Sequence, residues 1–313
     1  MHIDPTELPT IFRAIADAPE GDADAGSEGV EGFSGVRLLA LLRTLAGRIV
    51  DQDNAYVEIG VYRGLTLSTV AAVANGPCIG IDDFSLFNPS GDNRRRVEQV
   101  LGDRGLSNVA LLDSDAEVAL AHFAEKFPGR QIGLLFVDGG HDYRSQLVAL
   151  LLARHHLAPG AVVVIDDTNY RHVRQATEDF LRTFPDFALV AEASTPAHPA
   201  NRDAAGEADA RRGWWNGVQV LAHDPGGAIA RTSLPPADQH RFRLSHDMFR
   251  HLLADRAHEV LNAAVKLVDG PDGEAQATLD KIVAEERARP GRFEHQNTDS
   301  ADRPLVWTAD LSG

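Results

Sequence analysis

The chain has 313 residues, enough for one large domain with an appendage or for two domains, and its 43% apolar and 6% aromatic content is that of an ordinary globular protein. A formal net charge of −16 argues against double-stranded nucleic acid as a partner, because that partner selects for a basic face. Cys78 is the only cysteine, which excludes an intrachain disulfide and a thiolate metal site and fits a reducing, cytoplasmic setting.

Met1-His2-Ile3-Asp4 lacks a basic stretch followed by an apolar one, and no run of about 20 apolar residues occurs, so neither an export signal nor a membrane span is expected. Residues 7–16 read as a short helix, and residues 19–32, rich in Gly, Asp and Glu, as a linker. Val36 to Ile49 has helical apolar spacing. Strands and helices then alternate. Strands are expected at 56–60, 77–81, 109–112, 132–136, 161–165, 189–193 and 217–222. Helices are expected at 65–74, around Val97 and Leu101, and at 116–127, 145–155 and 172–184. Residues 84–96 and 195–212 read as excursions, and the final two strands, with no helix between them, permit an antiparallel edge. Units of this length imply a mostly parallel, doubly wound α/β sheet. The expected organisation is a lead of residues 1–34, a core of residues 35–225, and an extension of residues 226–313. A turn at Pro235-Pro236 precedes helical spacing at 248–267 and 275–288. Those helices could wrap the core, cover a pocket or make a homo-oligomer contact.

Two short blocks carry most of the chemistry. Val137-Asp138-Gly139-Gly140-His141-Asp142-Tyr143 follows one apolar run and Asp166-Asp167 follows another. Each run reads as a buried parallel strand, so each block stands at a strand's C-terminal end, where open α/β sheets bind ligands. Asp138, Asp166 and Asp167 would repel one another there unless a positive charge sat among them, and a hard divalent cation suits them. His141 would stand beside them as a base.

Glu58-Ile59-Gly60-Val61-Tyr62-Arg63-Gly64 joins the first core strand to its helix. Tyr62 stands where a dinucleotide fingerprint has its middle glycine, which disfavours the alternative of a nicotinamide-dependent oxidoreductase. The following helix N-terminus can receive a carboxylate, such as a methionine moiety carries. Asp82 can accept both hydroxyls of a ribose, and Asp113 or Ser114 stands where adenine would lie. Asp83 reads equally as a cap or a surface residue.

Residues 58–68, Gly80-Ile81-Asp82, Asp113-Ser114, residues 137–143 and Val164-Ile165-Asp166-Asp167 resemble the class I S-adenosylmethionine-dependent methyltransferases. Within that superfamily they most resemble the metal-dependent sugar O-methyltransferases of the macrocin and mycinamicin type. The resemblance spans residues 35–223 and implies a Rossmann-like, seven-stranded, mostly parallel methyltransferase sheet with added helices at both termini. It implies S-adenosylmethionine bound around Glu58, Gly60, Tyr62, Gly64, Ser68, Asp82, Asp113, Ser114 and Asp138. It implies Mg²⁺ held by Asp138, Asp166 and Asp167, with His141 as general base. The acceptor it implies is a hydroxyl of a small natural product, a glycoside sugar, in antibiotic biosynthesis. A hard cation beside a histidine also suits catechol methylation, so a phenolic acceptor is the chemical alternative. A non-catalytic small-molecule-binding or scaffold protein is the alternative of a different class.

Other residues carry two readings each. Trp214 and Trp215 read as pocket or as packing, and Asn169, Tyr170 and His172 as substrate border or as plain connection. Arg94 to Arg96 read as a solvated helix start or as partners of an anionic substrate or of lid carboxylates, and His155-His156 as solvated residues near a helix C-terminus.

Overall fold

The computed structural model describes residues 4–18, 29–195, 198–234, 236 and 256–288. Residues 19–28 of the expected linker, Pro235, and residues 248–255 of the first C-terminal helical stretch lie outside the described residues. The chain divides into two compact units, Met1–Pro235 and Pro236–Gly313.

The first unit is built on a seven-stranded sheet in the order β3-β2-β1-β4-β5-β7-β6. The strands are β1 (Asn54–Ile59), β2 (Cys78–Asp82), β3 (Val109–Asp113), β4 (Gln131–Val137), β5 (Leu157–Asp166), β6 (Phe187–Ala193) and β7 (Val218–His223). The first five run parallel, and β7 runs antiparallel to both β5 and β6. The fold is therefore the Rossmann-like sheet expected from the sequence. The reason for the parallel run is visible in burial. β1 is buried along its whole length and β4 everywhere but its first residue, so both need cover on two faces, which only crossover helices supply. Alternation along each strand then splits the core. Tyr56, Leu134, Phe136, Val162 and Val164 enter one layer, while Ala55, Val57, Ile59, Leu135 and Ile165 enter the other.

The first layer is closed by α1 (Leu8–Ala16), α2 (Val36–Ile49) and α3 (Leu65–Ala71), and by Val97 of α4 (Asn93–Asp103). The second is closed by α5 (Ala116–Ala121), α6 (Phe123–Lys126), α7 (Tyr143–Ala153) and α8 (Arg171–Thr183). The single helix expected at 116–127 is thus two short ones that meet at His122. Part of the excursion read at 195–212 is a helix, α9 (Ala204–Arg212). Its signals are local: Asp203 caps it by accepting from Gly206 N, Glu207 lies in its first turn and Arg211 and Arg212 in its last. Phe12 of α1 stacks on Trp214 at 4.7 Å, which assigns that tryptophan to packing. Cys78 is buried in the same layer.

Among the described residues, the second unit holds α10 (Ala257–Asp269) and α11 (Gly273–Ala288), which pack on each other. No helix among the described residues is long and apolar enough to cross a membrane.

Candidate active site

β1 has β2 on one side and β4 on the other, so the strand order reverses there and opens a crevice beyond the strand ends. A cavity of about 580 Å³ fills it, within the size range of small-molecule sites. The turn after β1 is its floor. Gly60 has φ +86°, and a Cβ there would lie 1.9 Å from the Asp138 carbonyl oxygen. Glycine is required because the two strand ends touch. Tyr62, also left-handed at φ 52°, is an uncommon conformation for a non-glycine residue. Asp82 holds this turn: its Oδ2 accepts from Val61 N and Tyr62 N, both at 2.8 Å, and its Oδ1 accepts from Phe84 N at 2.7 Å.

Of the residues expected at a cofactor site, Gly60, Tyr62, Asp82, Ser114 and Asp138 border the cavity. Glu58, Gly64, Ser68 and Asp113 do not. Glu58 is fully buried behind the turn, where its Oε1 accepts from Thr66 Oγ1 at 2.6 Å and its Oε2 from Tyr56 Oη. Burial, the largest effect, pushes its carboxyl up to about 8, against the lowering by those two hydrogen bonds. Gly64 is the residue before α3, with φ +83°. Ser68 is buried within α3, with its Oγ directed at Leu65 O. Asp113 is half-exposed and paired with Arg94 at 2.7 Å.

The two acidic blocks do converge. Ligand atoms of Asp138, His141 and Asp167 all lie within 4.8 Å of one another. His141 Nε2 is 2.6 Å from Asp167 Oδ2 and 3.9 Å from Asp138 Oδ1. Asp166 is buried just behind, its Oδ1 accepting from Asp167 N at 2.8 Å, and it stands outside that trio. Burial raises the Asp138 carboxyl most and the neighbouring Asp167 charge adds to it, while the hydrogen bond with His141 opposes them, leaving it at about 7. Asp166 is pushed up by burial and then by Asp138 and Asp167. Burial pulls the His141 imidazole down, but hydrogen bonds and charge from Asp138 and Asp167 outweigh it and lift it to about 10. Two buried carboxyls, Asp166 and Asp167, and the partly exposed Asp138 thus crowd one imidazole, and a hard cation there would favour their ionised forms.

Residues outside the two acidic blocks complete the site, and of these Asn216 and His198 carry no signal in the local sequence. Asn216 is fully buried and its Nδ2 donates to Asp167 Oδ1 at 2.6 Å. The antiparallel register that pairs Asp166 with Val218 brings it there. Tyr170 stacks on His141 with ring centroids 5.2 Å apart, and His198 lies 5.8 Å beyond it. Trp215 borders the cavity, with Phe33 stacked between it and Tyr62. Asp142 supports rather than faces the site, capping α7 through Arg144 N and Ser145 N. Of the border candidates, Tyr170 lines the cavity, while Asn169 bonds Thr195. Arg95 and Arg96 pair with Asp92 at the start of α4.

Residues 57–168 match a family model described as a methyltransferase domain. That stretch resembles a methyltransferase domain. The match takes in the glycine turn and every residue of the acidic cluster, and it supports S-adenosylmethionine as the methyl donor. No curated protein matches the chain. Among solved structures, an O-methyltransferase from Bacillus cereus in complex with SAH is 13% identical, with 70% of this chain and 90% of that one covered and a TM-score of 0.45. An rRNA methylase from Streptococcus thermophilus is 13% identical, with coverages of 59% and 95% and a TM-score of 0.42. A precorrin 8w decarboxylase from Methanobacterium thermoautotrophicum is 22% identical, with coverages of 62% and 92% and a TM-score of 0.44. Likenesses this loose decide neither acceptor nor metal.

Proposed function

We propose that this protein transfers the methyl group of S-adenosylmethionine to a hydroxyl oxygen of a small natural product, a glycoside sugar, beside Mg²⁺. The observation that carries the reading is the meeting of Asp138, His141 and Asp167 in the cavity that the glycine turn floors. The donor set fits a hard cation: Asp138 and Asp167 offer carboxylate oxygens close to one another on the cavity, with Asp166 buried next to Asp167 as a third. When bound there, the cation supplies Lewis-acid stabilisation of alkoxide character on adjacent acceptor oxygens.

The protein's own residues do the rest. A sulfonium methyl needs alignment more than activation. The oxygen's lone pair attacks the methyl carbon, the carbon–sulfur bond breaks, and the hydroxyl proton goes to His141. As an imidazolium paired with Asp167, His141 cannot take that proton, so its role as base requires the Asp167 charge to be engaged elsewhere. Tyr170, stacked on the imidazole, restricts the ring's rotation. Asp82 and the turn at Gly60 face the donor's ribose and methionine portions. The net charge of −16 argues against an rRNA acceptor.

One observation favours a phenolic acceptor as the second reading. Tyr62, Phe33 and Trp215 make a stacked aromatic wall on the cavity, a surface suited to a planar ring. Incubation with methyl-deuterated S-adenosylmethionine and a panel of vicinal-diol glycosides and catechols separates the two by the mass of the labelled product. The reading expects an O-methyl product whose formation stops on chelation and returns with Mg²⁺. Transfer to nitrogen or carbon, or turnover indifferent to chelator, contradicts it.

A further inference from the structure

The first turns of α5 and α7 lie side by side, with Arg144 Nη2 donating to Glu117 Oε2 at 3.0 Å. Ser114 and Ala116, Ile81 near the end of β2, and Gln146 and Ala149 on α7 all line the cavity. Gln146 is only 4% exposed, and its Nε2 is enclosed without a hydrogen-bond partner among the described residues. An enclosed amide without a partner is costly, and an apolar side chain at this position would avoid the cost. Ile81, Ala116 and Ala149, which line the same cavity, are apolar and would cover the face of a flat ring. The carboxamide adds one donor and one acceptor side by side, in either orientation of its nitrogen and oxygen. A 6-aminopurine edge is the complement, with its exocyclic amine donating and an adjacent ring nitrogen accepting.

We propose that the Gln146 carboxamide binds the edge of the adenine ring of S-adenosylmethionine and its demethylated product. This rests on the reading of the cavity as the site of that donor. Ser114, from the turn that also carries Asp115 and Ala116, then meets the same base from the β3 side, while Gln146 reads its hydrogen-bonding pattern from α7.

Calorimetric titration of the full chain with S-adenosylhomocysteine and with S-nebularinylhomocysteine, which lacks the 6-amino group, tests the assignment. In Gln146→Leu the loss of affinity for the adenine ligand should be about fivefold to tenfold, and at least about threefold greater than the loss for the nebularine ligand. Gln146→Met gives the same comparison if the leucine variant does not fold. Unchanged affinity for S-adenosylhomocysteine, or losses for the two ligands that differ by less than about threefold, overturns the role of Gln146 while leaving the donor reading intact. Failure of the unsubstituted protein to bind S-adenosylhomocysteine overturns both together.

Discussion

Asn216 Nδ2 donates to Asp167 Oδ1 at 2.6 Å, while Asp167 Oδ2 faces His141 Nε2 at the same distance. One oxygen of this carboxylate is therefore anchored by a fully buried amide and the other is turned toward the cavity. Asp167 is also held left-handed at φ 55°, a conformation that persists only where surrounding contacts over-determine it. Asn216→Leu should release the carboxylate. Manganese affinity, followed by electron paramagnetic resonance, should fall by about tenfold or more, with S-adenosylhomocysteine affinity unchanged. Unaltered manganese binding would show that the amide does not position this ligand.

Gly60→Ala should be among the most damaging single changes in the chain. Its methyl would overlap the Asp138 carbonyl oxygen, so the turn and the strand end must separate. Thermal or denaturant unfolding should show a loss of roughly 2–4 kcal/mol. Gly91→Ala is the control: φ is +68° there, but nothing lies within 4 Å of the added carbon, so a cost of only about 1 kcal/mol is expected. Equal costs at the two sites would contradict the close approach of β1 to β4 as the reason for Gly60.

Glu58 gives the fold a pH dependence of known sign. Its carboxyl is raised from 4.5 to about 8, first by burial. Below pH 4.5 it is protonated whether the chain is folded or unfolded, and the neutral carboxyl carries its full contribution. Between 4.5 and about 8 only the unfolded chain ionises, so stability drains away as pH rises and the loss is complete above about 8. Glu58→Gln cannot ionise. Plotted against pH, the stability of the glutamine variant minus that of the native chain should climb across this window, by at most about 1.4 kcal/mol per pH unit. A flat difference would mean that Glu58 is already ionised in the fold.

His141→Ala separates chemistry from donor binding. The imidazole faces the acidic cluster and stacks on Tyr170, with no hydrogen bond to the glycine turn. Turnover should fall by about 10²–10⁴-fold, and S-adenosylhomocysteine affinity should stay within about twofold. A matched loss of both would assign His141 to the donor's side of the cavity.

The sheet was legible in the sequence because its central strands are enclosed on both faces and end in polar residues, a pattern that survives without any alignment. Asp138, His141 and Asp167 were legible for the same reason: each follows directly on a strand that the apolar run marks. What escaped depends on distant pairings. Asn216 reaches Asp167 only because β7 runs antiparallel beside β5, and nothing near residue 216 announces that register. Asp113, placed by its strand end near the adenine portion of the donor, is instead paired with Arg94, nineteen residues earlier. Gln146 sits within a helix that the apolar spacing located, but its lack of a partner shows only once α5 and α7 pack. α9 was missed for a different reason: its buried side is made of Gly206 and Ala210, too small to give an apolar period, although its capping aspartate and terminal charges were present to be read.

The most direct test of the whole account is a crystal structure of the protein with S-adenosylhomocysteine, an acceptor from the methylated panel, and manganese as an anomalous scatterer in place of magnesium. The manganese peak is expected among Asp138, Asp166 and Asp167, the product cofactor across the Gly60 turn, and the acceptor hydroxyl within hydrogen-bond reach of His141. A manganese peak away from those carboxylates, or an acceptor oxygen out of reach of His141 with no bridging water, would contradict it.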